Sequence, residues 1–250
     1  MNVAVVIPAR YQSTRFPGKP LADLGGKSVI VRVVEQVRTC GSVNTVIVAT
    51  DDVRIFDHVQ RAGYTAVMTA DAHLSGTDRV AEVATTLAAT DVIVNVQGDE
   101  PFISATQIER VLQPFRSNDG VRIATLAHPL RDAAALFDPN VVKVTFDPAT
   151  GRALYFSRHP IPYLRDVSTD EWVRQARHFR HLGIYAFRRT TLLDVQALPP
   201  SSLERAESLE QLRWLQNGHS IHVALTEEIA FGIDTPADLE RARTRLRSKG

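Results

Sequence analysis

Three cations stand on one short stretch, Ala9-Arg10-Tyr11-Gln12-Ser13-Thr14-Arg15-Phe16-Pro17-Gly18-Lys19-Pro20-Leu21, with no acidic residue before Asp23. Pro17, Gly18 and Pro20 stiffen this segment and keep it from closing into a helix. A stiff loop carrying Arg10, Arg15 and Lys19 loses little entropy when it takes up a polyanion such as a triphosphate. The plain alternative is a solvated polar face. A second candidate is Asp99, in Gln97-Gly98-Asp99-Glu100-Pro101. There glycine lets backbone approach a nucleotide, and a carboxylate can hold Mg²⁺ against phosphate oxygens. Its alternative is the cap of the helix that follows.

These residues need strands behind them. Val3 to Ile7 is a run of five apolar residues, four of them β-branched, and reads as a buried parallel strand that Pro8 ends. The loop therefore leaves the carboxyl end of a central strand, the edge where open α/β sheets bind ligands. A helix is expected over Ser28 to Val37 with Gly41 as its stop, then a strand over Val43 to Thr50. Asp51-Asp52 reads as the cap of a helix carrying Ile55, Phe56, Val59 and Ala62, closed by Gly63. Tyr64 to Thr69 is a short strand, Arg79 to Ala88 a helix, and Asp91 to Val96 the strand that delivers Asp99. A helix over Ser104 to Phe115 and a strand over Ile123 to Ala127 follow. Strand and helix alternate as in a doubly wound, mostly parallel α/β sheet of Rossmann-like type.

From Val141 the pattern changes. Val142 to Phe146 alternates, Asp147 to Gly151 turns, and Ala153 to Phe156 returns, which predicts an antiparallel hairpin. Arg165 to Arg177 reads as a polar arm or lid, and Leu182 to Phe187 as a strand. One helix is expected from Ser202 through Trp214, ended by Asn217-Gly218, then a strand over His219 to Thr226 and a terminal helix from Thr235-Pro236. The expectation is a single domain over 1–250 with a hairpin and arm lobe at about 141–187.

With 29 basic and 28 acidic residues among 250, no global attraction to nucleic acid or an anionic membrane is expected, so any anion site must be local. The one cysteine, Cys40, excludes a disulfide framework and a multi-cysteine zinc site, which points to a reducing, cytoplasmic setting. No apolar run approaches a membrane span, and no G-x-G-x-x-G follows the first strand.

In Arg10, Ser13, Arg15 and Pro17-Gly18-Lys19-Pro20-Leu21 the chain resembles the 3-deoxy-manno-octulosonate (KDO) cytidylyltransferases, or CMP-KDO synthetases, the proline after Lys19 favouring them over the related sialic-acid enzymes. The resemblance implies transfer of CMP from CTP to the anomeric hydroxyl of this acidic 2-keto-3-deoxy sugar, releasing pyrophosphate, for lipopolysaccharide biosynthesis by a homodimer. It matches Gly232-Ile233-Asp234-Thr235-Pro236 to the family's C-terminal motif, so Asp99 and Asp234 become the Mg²⁺ pair, although Asp-Thr-Pro by itself reads as a helix start.

Lys19 and Arg15 are then the catalytic cations, and the nucleotide is expected on Ala9, Arg10, Ser13, Lys19, Gly98 and the Ser75-Gly76-Thr77-Asp78-Arg79 segment, whose Ser75, Gly76 and Arg79 face the pyrimidine. Serine and glycine before a helix are otherwise an ordinary cap. Matched in order to the family's acceptor segments are Gln97, Arg158, Arg165, His181, Tyr185, Glu210 and Gln211. Guanidinium suits the sugar's carboxylate. The dull alternatives are a His181 satisfied by backbone and a Glu210–Arg213 surface pair. The chain departs from the family at His159-Pro160 and Ala230-Phe231.

Other readings remain open at this stage: a cytidylyltransferase for sialic acid or amino-KDO, a non-catalytic CTP sensor, or a glycosyltransferase. The last would need Asp-x-Asp at 99–101, where position 101 is proline.

Overall fold

In the computed structural model, which describes residues 1–229 and 231–248, the N-terminal apolar run forms strand β1 (Val3–Ala9), buried along its whole length. β2 (Thr45–Thr50) lies on one side of it, with β3 (Ala66–Met68) beyond, and β4 (Val92–Asn95) lies on the other; all four are parallel. The chain divides into two compact units, Met1–Glu109 with the C-terminal stretch from Ala230, and Arg110–Ile229.

β1 does not end at Pro8, as the sequence predicts; Pro8 and Ala9 stay in register with Ala49 and Thr50. β4 accompanies β1 only as far as the Val6–Asn95 pair. The Pro8 carbonyl points toward Gly98, on that vacated side. Within a strand a residue's nitrogen and carbonyl share an edge, so the missing N–H costs no bond to β2.

The helices of the first unit start where side chains cap them. Ser28 accepts from Val31 N at α1 (Val29–Arg38), and Asp52 from Arg54 N at α2 (Val53–Arg61). α3 (Gly76–Thr85) starts three residues earlier than predicted because Ser75 and Asp78 close a reciprocal capping box. It stops short of Ala88, where the Thr85 and Thr86 hydroxyls donate to the Glu82 and Val83 carbonyls and unsettle the last turn. α4 (Ala105–Ser117) keeps Pro114 in its last turn, and Ser104 and Gln107 bond each other's backbone N–H at its start.

The second unit is mixed. β5 (Ile123–Leu130) is followed by α5 (Ala133–Phe137), the hairpin β6 (Lys143–Phe146) and β7 (Ala153–Ser157), and α6 (Trp172–Gln175). Then come β8 (His178–Arg188), α7 (Arg189–Gln196), α8 (Ser202–Glu207), α9 (Gln211–Gln216) and β9 (Ile221–Leu225). β5 pairs antiparallel with β8 and parallel with β9. The antiparallel character therefore reaches beyond the expected hairpin, and β8 begins four residues before Leu182 because His178 still pairs with Leu130.

The single helix predicted over 202–214 is two. Ser208 adopts a left-handed φ of 51°, which ends α8 and redirects the chain into α9. The polar arm is also less polar than it reads: Trp172 is buried in a cluster with Leu130, Leu136 and Val141.

The terminal helix α10 (Pro236–Arg247) belongs to the first unit. Ile233, Leu239 and Ala242 pack against Leu24 and Val29, joined by Phe102 and Phe231. Burying each large apolar side chain contributes roughly 1.5–3 kcal/mol. Thr235 caps α10 and shares Asp238 Oδ2 with the Asp234 N–H. Cap and core together fix where the Asp234 side chain begins.

Candidate active site

The loop after β1 is closed at its base. Gly18, at φ 74°, donates its N–H to the Tyr11 carbonyl at 2.8 Å and starts a single 3₁₀ turn over Lys19–Leu21, the one helical element in a stretch expected to have none. Its backbone conformation favours glycine, and a Cβ there would stand 3.1 Å from the Tyr11 ring. The guanidinium of Arg54 covers that ring, 3.3 Å from its centroid, and is itself held by Asp52 at 2.9 and 2.6 Å. Between these ties the crown, Gln12 to Pro17, presents Arg15, with Arg10 before it and Lys19 after it.

The charged centre lies beside that loop. Lys19, a buried residue, donates from Nζ to Asp99 Oδ2 at 2.6 Å and to Asp234 Oδ1 at 3.4 Å. Arg15 reaches the same Asp234 oxygen at 3.2 Å. Two carboxylates 135 positions apart thus meet on one ammonium group. Asp99 is placed by the end of β4 and by its carbonyl, which accepts from Ile233 N at 2.9 Å and so ties the two motifs together.

Neither carboxylate is spent on a cap: Ser104 with Gln107 serves α4, and Thr235 with Asp238 serves α10. The capping and ligand readings of the C-terminal motif are both satisfied, by different residues. Two hard oxygen donors suit Mg²⁺, which takes few protein ligands and completes its shell with water and phosphate oxygens.

A cavity of about 380 Å³ opens over this centre. Ala9, Arg10, Ser13, Arg15, Lys19, Gly76, Arg79, Gln97, Gly98, Asp99 and Asp234 all line it. Among the predicted nucleotide residues Ser75 is the exception: its hydroxyl accepts from Asp78 N as the cap of α3. Gly98 is pressed against β1, where a Cβ would stand 2.7 Å from the Pro8 carbonyl. Arg79 is buried, its guanidinium bonded to Asp51 Oδ2 at 2.6 Å and to the Thr69 hydroxyl. Asp51 therefore braces Arg79 and leaves the capping of α2 to Asp52.

The second unit holds six of the seven acceptor candidates. Arg158 donates to the carbonyls of Glu207, Pro139 and Ser208 at 2.7, 3.0 and 3.2 Å, which leaves two of its five N–H groups. Arg165 is exposed beside Asp166. His181 is not satisfied by backbone: its Nε2 meets the Thr125 hydroxyl at 2.9 Å, and burial, then the neighbouring Arg180 charge, lowers its pKa to about 3. Tyr185 packs edge-on against Trp214, burial pushes its phenol well above the ordinary value, and its hydroxyl has no partner. Glu210 makes the expected pair with Arg213 at 2.8 Å, and Gln211 is buried. Of the departures from the family, His159 donates its N–H to Ser157 Oγ, Phe231 packs on Phe102, and Ala230 lies outside the described residues.

Sequence reasoning missed Tyr11, Arg54, Asp51 and Thr125. Arg54 and Asp51 carry a signal of a kind, charged residues just after a strand, but nothing local says which loop they brace. Thr125 sits inside an apolar strand and has none. Among the described residues no group of three or more His, Cys, Asp or Glu gathers that could hold a metal, and no helix is long and apolar enough to cross a membrane.

Comparison with known proteins places the chain in a family. The cytidylyltransferase family model matches residues 4–222. The 3-deoxy-manno-octulosonate cytidylyltransferases of Parabacteroides distasonis and Trichlorobacter lovleyi are 48% and 47% identical, over 100% and 99% of both chains. The solved structure of CMP:2-keto-3-deoxy-manno-octonic acid synthetase complexed with CTP is similar at a TM-score of 0.93 and 42% identity, covering all of both chains. A cytidylyltransferase from Leptospira borgpetersenii, at 18% identity and a TM-score of 0.65 over 99% of this chain and 87% of its own, shares the fold.

Proposed function

The chain belongs to the cytidylyltransferase family, and from that membership we propose that it transfers CMP from CTP to the anomeric hydroxyl of KDO, giving CMP-KDO and pyrophosphate. The observation that carries the reading is the convergence of Arg15, Lys19, Asp99 and Asp234 in one cavity at the carboxyl end of β1.

The sugar oxygen forms a bond to the α-phosphorus, the bond from that phosphorus to the bridging oxygen breaks, and its electron pair leaves with pyrophosphate. The hydroxyl proton is lost to solvent. Arg15 and Lys19 balance charge on the triphosphate, Arg10 and Ser13 orient it, and the backbone at Ala9 and Gly98 shapes the walls. Asp99 and Asp234 would hold Mg²⁺, which when bound polarises phosphate oxygens as a Lewis acid. Gln97 and the acceptor candidates of the second unit are assigned to the sugar by resemblance; the buried, partnerless Tyr185 hydroxyl supports one of them.

The same proposal takes in a homodimer, a cytoplasmic setting and service to lipopolysaccharide biosynthesis. The single cysteine, Cys40, is buried with its thiol donating to Glu109 Oε1, which fits a reducing compartment.

The test is pyrophosphate release with and without Mg²⁺, comparing KDO, sialic acid and no acceptor, with UTP and ATP as controls. Metal-dependent release with CTP and KDO alone is expected. Release with CTP and sialic acid only would move the error to the acceptor, and CTP binding without release under any acceptor would turn the reading into a sensor.

A further inference from the structure

We propose that Lys19 is the internal counter-ion of the divalent-cation site: it keeps the Asp99–Asp234 pair closed to a free metal ion and yields it only to a metal that arrives with nucleotide. The inference rests on the assignment of those two carboxylates to Mg²⁺ made above.

Lys19 Nζ already occupies the place a cation would take, 2.6 Å from one carboxylate and 3.4 Å from the other. Its side chain is 11% exposed, and its root is fixed by the left-handed Gly18 before it and Pro20 after it, within the 3₁₀ turn. An ammonium group so placed cannot leave for bulk water without leaving a charge unpaired in a half-buried site. The second cation on Asp234, Arg15, is 67% exposed and holds the pair far less firmly.

The exchange of partners decides what can enter. A divalent ion alone would free the carboxylates from Lys19 but offer that lysine nothing in return. CTP alone would draw Lys19 and Arg15 to phosphate and strand two carboxylates. The metal–nucleotide complex supplies both partners at once, carboxylates to metal and cations to phosphate, so every charge keeps a neighbour. Metal and nucleotide binding are coupled through one side chain, and the coupling is reciprocal.

The experiment uses Mn²⁺ as the probe, its free concentration followed by electron paramagnetic resonance in protein without CTP, with thermal unfolding as a second readout. Wild type is expected to bind Mn²⁺ weakly and to melt at the same temperature with or without it. Lys19→Met and Lys19→Gln are expected to bind Mn²⁺ roughly tenfold or more tightly and to be stabilised by it. Lys19→Arg, which keeps a cation in place, should behave as wild type.

Equal Mn²⁺ binding by wild type and Lys19→Met, lost in both when Asp99→Asn is added, would overturn the inference while leaving the carboxylate assignment standing. Tight binding by Lys19→Met that survives Asp99→Asn would overturn the assignment itself and the inference with it.

Discussion

The two units carry their candidate ligand groups in opposite conditions. In the first unit Arg15, Lys19, Asp99 and Asp234 sit at the open end of a parallel sheet, paired with one another. In the second, His181 and Tyr185 pack among aromatic rings, Gln211 is buried, and the Tyr185 hydroxyl and Trp214 indole N–H lack partners. The first region stores its binding capacity as charge pairs that can be exchanged; the second stores it as desolvated polar atoms still owed a bond. A triphosphate calls for the former, and a hydroxyl-rich sugar for the latter.

That contrast can be broken at several points. The largest effect is expected at Asp99→Asn, which keeps the shape of the charged centre but removes its charge. Turnover should fall by roughly 10²–10³-fold while urea unfolding shows a stable protein. Near-normal pyrophosphate release would remove Asp99 from the chemistry.

Gly98→Ala comes next. Its Cβ would meet the Pro8 carbonyl, a backbone atom, at 2.7 Å, so overpacking should cost about 1–3 kcal/mol and raise the KM for CTP. An unchanged denaturation midpoint would mean that the strand ends separate freely.

The enclosed region is sharpened by pH. His181 has a pKa of about 3 in the folded chain against an ordinary 6.5, so the unfolded chain binds the extra proton between those values. The stability due to the neutral ring is complete above about 6.5 and is lost as pH falls toward 3. His181→Asn should flatten that part of the stability profile. If the slope of wild type persists in the variant, the other histidines carry it.

The smallest change in stability is expected at Tyr185→Phe. Deleting a buried hydroxyl without a partner should leave unfolding unchanged or stabilise it by up to about 1 kcal/mol, while the KM for KDO rises and that for CTP does not. A matching rise for both substrates would contradict its assignment to the sugar.

How much of this was legible follows the same divide. β1, its cationic loop and the strand before Asp99 are written in contiguous residues, so both the alternation and the site at its edge could be read locally. Boundaries failed where tertiary context decided: Pro8 stays in β1 because its neighbour strand has already ended, and Ser208 splits a helix through its own φ. α7 went unseen because Arg188, before its first turn, makes no side-chain capping bond. In the second unit, order along the chain matched a family but gave no burial, so the spending of Arg158 on three carbonyls and the Thr125 support of His181 were out of reach.

A Cβ on Gly98 would meet the Pro8 carbonyl at 2.7 Å and Ile30 Cδ1 at 3.4 Å, so cavity and hydrophobic core are separated there by a single thickness of main chain. Over evolutionary time such a wall makes neighbours of positions with different duties. A lineage that enlarges residue 30 alters the floor of the cavity without touching a residue that lines it. Drift at residues 8, 30 and 98 should therefore be correlated.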